Sequence, residues 1–183
     1  MIRTCVDYER YGHIMALLPM YDETGEFVLV VYDDRASEHA DGSMRTVLAR
    51  CARAFGCDIP RMRSVAQQVF GRSKQELPLA FEPYFVLVPF RFRAPRVKGD
   101  ATLAYFNFMH IADIAPMHPL LGACAQEDAR IAVRLANGQQ FPVRNRYASA
   151  VARFRDGCRA RDHLVSVINA CGPVTLDARS VAV

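Results

Sequence analysis

The chain has 183 residues, 51% of them hydrophobic, enough for one sizeable core and short for two, so a single domain over 1–183 is expected. No apolar run approaches the roughly 18 residues of a membrane span, acidic Asp7 and Glu9 stand where a signal peptide is basic, and Cys5, Cys51, Cys57, Cys124, Cys158 and Cys171 show neither Cys-x-x-Cys nor zinc-finger spacing; these features point to a cytoplasmic protein with reduced thiols, no membrane attachment, no metal and no cofactor. The net charge of +4 is uneven: residues 1–44 carry 3 basic and 9 acidic side chains, residues 45–98 carry 11 and 3, and residues 99–183 carry 9 and 7.

In chain order, His13–Met20 and Phe27–Asp33 are apolar runs separated by Asp22-Glu-Thr-Gly25, which predicts a β-hairpin. Phe27–Tyr32 is apolar on both faces, as in a strand covered on both sides. Residues 34–42 are polar and predict a loop. Ser43 then precedes Met44, Val47, Leu48, Cys51, Ala52 and Phe55 at helical spacing, with Gly56 beyond, giving a cap, a stripe and a stop. Arg50 and Arg53 are three apart on the polar side of this helix, with Arg45 near its start.

Asp58-Ile-Pro60 predicts a second helix through Phe70 to Gly71, although Val65–Phe70 alone also suits a strand. Leu77–Glu82, Tyr84–Arg93, Ala101–Ile111, Ala129–Leu135 and Gln139–Val143 are short segments rich in β-formers, the last two joined by Asn137-Gly138. They read as mostly antiparallel strands. Asn145 is placed to cap a helix that runs through Tyr147, Val151, Phe154 and Cys158 to Ile168, with Gly157 a point of interruption and Gly172-Pro173 a stop. The expected fold is α+β: a mostly antiparallel sheet covered by two or three helices.

Arg50-Cys-Ala-Arg53-Ala-Phe55-Gly56, followed by Arg61 and Arg63, is similar to the central signature of the ComK family of competence transcription factors. Lys74 with Pro78, Pro83 before Phe85-Val-Leu-Val-Pro89, His110 after an aromatic strand, and Asn137-Gly138 before a proline-bearing strand follow in that family's order. The opening Ile14-Met-Ala-Leu-Leu-Pro19 also resembles it, so the similarity covers roughly residues 10 to 165. The resemblance implies an activator that grips AT-rich boxes of double-stranded DNA through the minor groove as a homo-oligomer, switches on DNA-uptake genes, and has its level set by a proteolytic adaptor. Departures at Ala54, Cys57 and Asp58, and a basic set almost free of lysine, leave open a diverged regulator with a non-competence regulon.

Cations gathered on one surface bind DNA by releasing condensed counterions, and arginine suits the narrow A·T minor groove. Arg50, Arg53, Arg61, Arg63, Arg72 and Lys74 are the expected contact set, against the plainer reading of a solvated charged face. Arg91 and Arg93 share a strand face and, with Arg96 and Lys98, either extend that patch or are solvated strand-end residues. Arg153, Arg155, Arg159 and Arg161 alternate with Asp156 and Asp162 as on a mixed-charge helix surface. Phe55, Phe85, Phe90, Tyr105, Phe106 and Phe108 sit in apolar runs and read as core. His110, Asp113 and His118 form the strongest enzyme candidate, and Asp33, Asp34, His39 and Asp41 suggest either a metal loop or an acidic one. Without a phosphate loop or nucleophile elbow, no enzymatic activity is expected. The alternative to DNA binding is an oligomeric protein-interaction module.

Overall fold

The computed structural model describes residues 8–23, 25–71, 76–117 and 129–171. A short helix α1 (Tyr8–Gly12) leads into the expected hairpin of β1 (Ile14–Asp22) and β2 (Gly25–Tyr32). Its turn closes where Gly25 N–H donates to Asp22 Oδ1 at 3.0 Å, with Gly25 at φ +130°, a conformation open to glycine. The polar segment after it is more than a loop. It contains β3 (Glu38–Ala40), paired antiparallel with β2 and anchored by His39, whose ring stacks on Phe27 at 4.1 Å.

Helix α2 (Met44–Ala54) starts where Ser43 Oγ accepts from Thr46 N–H, and its stripe of Met44, Val47, Leu48, Cys51 and Ala52 is buried. Helix α3 (Ile59–Phe70) resolves the ambiguity over Val65–Phe70. Asp58 accepts from Arg61 N–H at 3.0 Å, Pro60 sits in the first turn, and Gly71 at φ 63° ends the helix by donating to Gln67 O at 2.8 Å.

Strands β4 (Leu79–Glu82), β5 (Phe85–Arg91) and β6 (Leu103–Asn107) complete a six-stranded antiparallel sheet of order β3-β2-β1-β6-β5-β4. The segment expected as one strand to Ile111 is broken by a 3-10 turn, Phe108–His110. Buried Asn107 makes the break: its Oδ1 accepts from Met109 N–H at 3.3 Å while its Nδ2 donates to Tyr84 O at 3.2 Å and Ile14 O at 3.4 Å. The chain then enters a second, three-stranded antiparallel sheet of β7 (Ile111–Pro116), β8 (Ile131–Leu135) and β9 (Gln140–Val143).

Helix α4 (Tyr147–Cys171) runs through Gly157 without a break. Glycine is needed there for packing, since a Cβ would lie 2.6 Å from Val88 Cγ2 on β5. Asn145 ties the helix entry to the sheet instead of capping it, accepting from Arg91 N–H at 2.7 Å.

The large sheet is buried on both faces. Leu17, Val28, Val30, Phe85, Leu87 and Tyr105 pack on one side with the stripe of α2, while Leu18, Val88, Phe90 and Phe106 pack on the other with Ile131, Val133, Leu135 and Ala150. The fold is thus α+β as expected, with the small sheet and α4 together forming the second cover. Among the described residues, no helix is long and apolar enough to cross a membrane.

Candidate nucleic-acid interface

Of the residues expected to contact DNA, Arg50 and Arg53 lie together on α2. Arg50 donates from Nη1 to Asp41 O at 2.8 Å, and Arg53 from Nε to Ala49 O at 3.3 Å. They line a concavity of about 710 Å³ with Arg10 and Arg35. Charge there is largely balanced: Arg10 pairs with Glu38, and Arg35 meets Asp34 at 2.7 Å, a bond that holds the Asp34 carboxyl below its usual range.

Arg61 stands elsewhere, on the rim of an apolar groove of about 460 Å³ that Val65 and Val69 of α3 share with Leu164 of α4. Arg63 is half-buried and turned toward Tyr105, whose hydroxyl is pushed up by burial and drawn partly back by that guanidinium. Arg72 and Lys74 lie outside the described residues.

Among the described residues, the densest gathering of cations is at the C-terminal end of β5. Arg91, Arg93, Arg130, Arg144, Arg146 and Arg153 line one cavity of about 760 Å³, with Glu76 the one carboxylate on its wall among the described residues. Backbone pairing brings these residues together: Arg144 N–H donates to Arg91 O at 2.7 Å, joining the end of β9 to the end of β5, and Arg130 N–H donates to Val143 O at 3.1 Å. Arg146 precedes α4, and Arg153 lies within it.

Two of the six guanidiniums are fixed in the wall. Arg93, 6% exposed, stacks over Tyr21 at 3.6 Å and donates to Glu26 at 2.6 Å and to Ala101 O at 2.9 Å, yet its Nη1 has no partner. Arg153, 7% exposed, donates to Pro89 O at 3.0 Å and pairs with Glu76, yet its Nε has no partner. Glu76 also pairs with Arg91 at 2.9 Å. Partial burial pushes the Glu76 carboxyl up, but Arg91 and Arg153 together outweigh it and hold the group below its ordinary range. Arg130 and Arg146 are exposed and have no carboxylate partner among the described residues.

Two sequence readings are corrected here. Arg153 does not belong to a mixed-charge helix surface, because its position on α4 turns inward over β5, and Asp156 is buried as well, with Arg159 reaching back to it at 3.7 Å, whereas Arg161 and Asp162 pair at the surface at 2.7 Å. Arg93 is not a solvated strand-end residue. Available in the sequence were two Arg-x-Arg pairs, Arg91-Phe-Arg93 and Arg144-Asn-Arg146, each closing a strand.

Among the described residues, the other chemical candidates are divided between separate pairings. Asp113 turns to Arg134 at 3.6 Å, His110 Nε2 is 3.9 Å from Asp33, and His118 lies outside the described residues. His13, Asp33 and Asp34 place ligand atoms within 4.8 Å of one another, with His13 bonded to Asp33 and Asp34 to Arg35. Cys51, Cys57, Cys158 and Cys171 are free thiols, and burial pushes Cys51 up to about 12, far from a reactive thiolate. Phe85, Phe90, Tyr105, Phe106 and Phe108 are core residues, as expected. Comparison with protein-family models, curated proteins and solved structures finds no match to the chain.

Proposed function

We propose that the protein is a cytoplasmic, homo-oligomeric transcription activator that binds AT-rich double-stranded DNA. The observation that carries this reading is the cavity lined, among the described residues, by six arginines and one carboxylate, because a strongly one-signed concavity concentrates positive potential toward a polyanion. Arg91, Arg130, Arg144 and Arg146 receive backbone phosphates, with exposed Arg96 and Lys98 on the neighbouring loop. Arginine at this rim also suits entry into a narrow minor groove. The contact set therefore shifts from the first helix toward the ends of β5 and β9, with Arg50 and Arg53 as a secondary face.

The test is fluorescence anisotropy on an A/T-box duplex and a G·C-rich control across a salt series. Binding is expected to favour the A/T duplex, with log K falling linearly against log salt. Arg130→Ala/Arg146→Ala should lower that slope by about 2, since each lost phosphate contact removes about 0.9. Arg50→Ala/Arg53→Ala measures the share of the α2 face. Absence of binding to either duplex at low salt by a folded protein would overturn the proposal and favour the protein-interaction module.

A further inference from the structure

We propose that the arginine-lined cavity also binds a small free anion bearing two or more negative charges on adjacent phosphates, such as a phosphoanhydride, and that this ligand and DNA exclude one another. The ligand assignment stands on the cavity alone; the exclusion rests on the DNA reading.

Charge density is the first ground. A backbone phosphodiester carries one negative charge and can only project into a concavity, whereas a phosphomonoester carries about −1.5 to −2 near neutrality. Among the described residues, six guanidiniums stand against Glu76 on the wall and Glu26 behind Arg93, an excess of positive charge that matches the denser anion better. Size is the second. The cavity of about 760 Å³ falls in the range of small-molecule sites and is far smaller than a duplex.

Unmet hydrogen bonding is the third ground. Arg93 and Arg153 are more than nine-tenths buried, and each is held along part of its guanidinium, Arg93 by Glu26 and Ala101 O, Arg153 by Glu76 and Pro89 O. Each also keeps one buried nitrogen, Arg93 Nη1 and Arg153 Nε, with no acceptor. A buried charged donor without an acceptor is costly, and since neither nitrogen has surface of its own, a small turn of the guanidinium would bring it to a phosphate oxygen, an acceptor whose geometry guanidinium matches. Because neighbouring contacts already fix these two side chains, little ordering is lost on binding. Pro95 and Leu103 are the main apolar residues of the wall, and no aromatic ring lines it among the described residues, so recognition falls on the phosphates and not on a base.

Isothermal titration with inorganic pyrophosphate, on the full chain at low salt, tests the assignment. Saturable binding is expected, weakened at least about tenfold in Arg130→Ala/Arg146→Ala and unchanged in Arg45→Ala, a change on the exposed side of α2. Arg153→Met should weaken it further, and circular dichroism shows whether that variant is folded; the Arg130/Arg146 pair keeps the test decisive if it is not. No saturable heat, or binding insensitive to Arg130→Ala/Arg146→Ala, overturns the site. Pyrophosphate is then titrated into the preformed protein–duplex complex against sodium chloride of equal ionic strength. Displacement beyond the salt control supports mutual exclusion. Binding of pyrophosphate without displacement overturns exclusion and leaves the site standing. Binding of pyrophosphate by a protein that binds no duplex overturns the DNA reading alone.

Discussion

Arg153 is a charge placed where an apolar side chain would fit between α4 and β5. Its two ends of the interaction are unequal, since the guanidinium is 9% exposed and the Glu76 carboxylate 38%. The lowered carboxyl makes stability depend on acidity with a definite sign. A group whose pKa is depressed in the folded state contributes stability above its unfolded value, and loses it as pH falls through the folded one. Acidification below the ordinary glutamate value of 4.5 should therefore destabilise the protein partly through Glu76. Urea denaturation of Glu76→Gln across pH 3 to 7, with pH values on the order of one unit apart, is expected to give a shallower acid limb than wild type. At neutral pH the same substitution removes the one carboxylate that the described residues place on the cavity wall. Nothing in the residues around Arg153 announces its burial, because Arg155, Asp156, Arg159 and Asp162 give it the company of an exposed face. Its partners Glu76 and Pro89 lie 77 and 64 residues away.

At the scale of elements, helices α2 and α3 were legible because cap, apolar stripe and terminal glycine agree within about a dozen residues each. The break after β6 was not, since it depends on Asn107 reaching Ile14 O, 93 residues distant. Gly157 shows the same limit. A helical glycine signals weakness by propensity, and replacing it with alanine gains up to about 1 kcal/mol in an open helix. Here the added methyl would meet Val88, itself fully buried on β5, at 2.6 Å. Overpacking costs about 1–3 kcal/mol, so Gly157→Ala is expected to be destabilising on balance by chemical denaturation. Gly157→Ala/Val88→Ala should recover part of the loss relative to Val88→Ala alone, through the space that it opens.

Considered whole, the molecule is one large sheet with two different covers, and the cationic cavity lies where the second cover joins the first sheet. Its arginines come from β5, the approach to β8, the end of β9 and α4, so no contiguous stretch of sequence displays it. By contrast Arg50 and Arg53 are legible as neighbours from their spacing, but their backbone acceptors and the paired charges of Arg10 and Arg35 are not. If the two core layers share one cooperative unit through that sheet, Leu48→Ala beneath α2 and Ile131→Ala on β8 should each lower stability by about 2–5 kcal/mol. Each variant should keep a single unfolding transition by calorimetry; two separated transitions in either would show that the layers unfold independently.

The two ends of the large sheet bear on how copies of the chain can meet. Outermost β3 has only three residues, Glu38–Ala40, and outermost β4 has four and lies under α3 and α4. In the small sheet, outermost β9 carries Pro142, which has no amide hydrogen to offer, and β7 packs on α4. Short, covered or proline-bearing margins discourage strand-by-strand addition and the fibrous growth that follows from it. Any homo-oligomer that the chain forms is therefore expected to be joined by side chains rather than by a continuous inter-chain ladder, and so to be open to disruption by single surface substitutions.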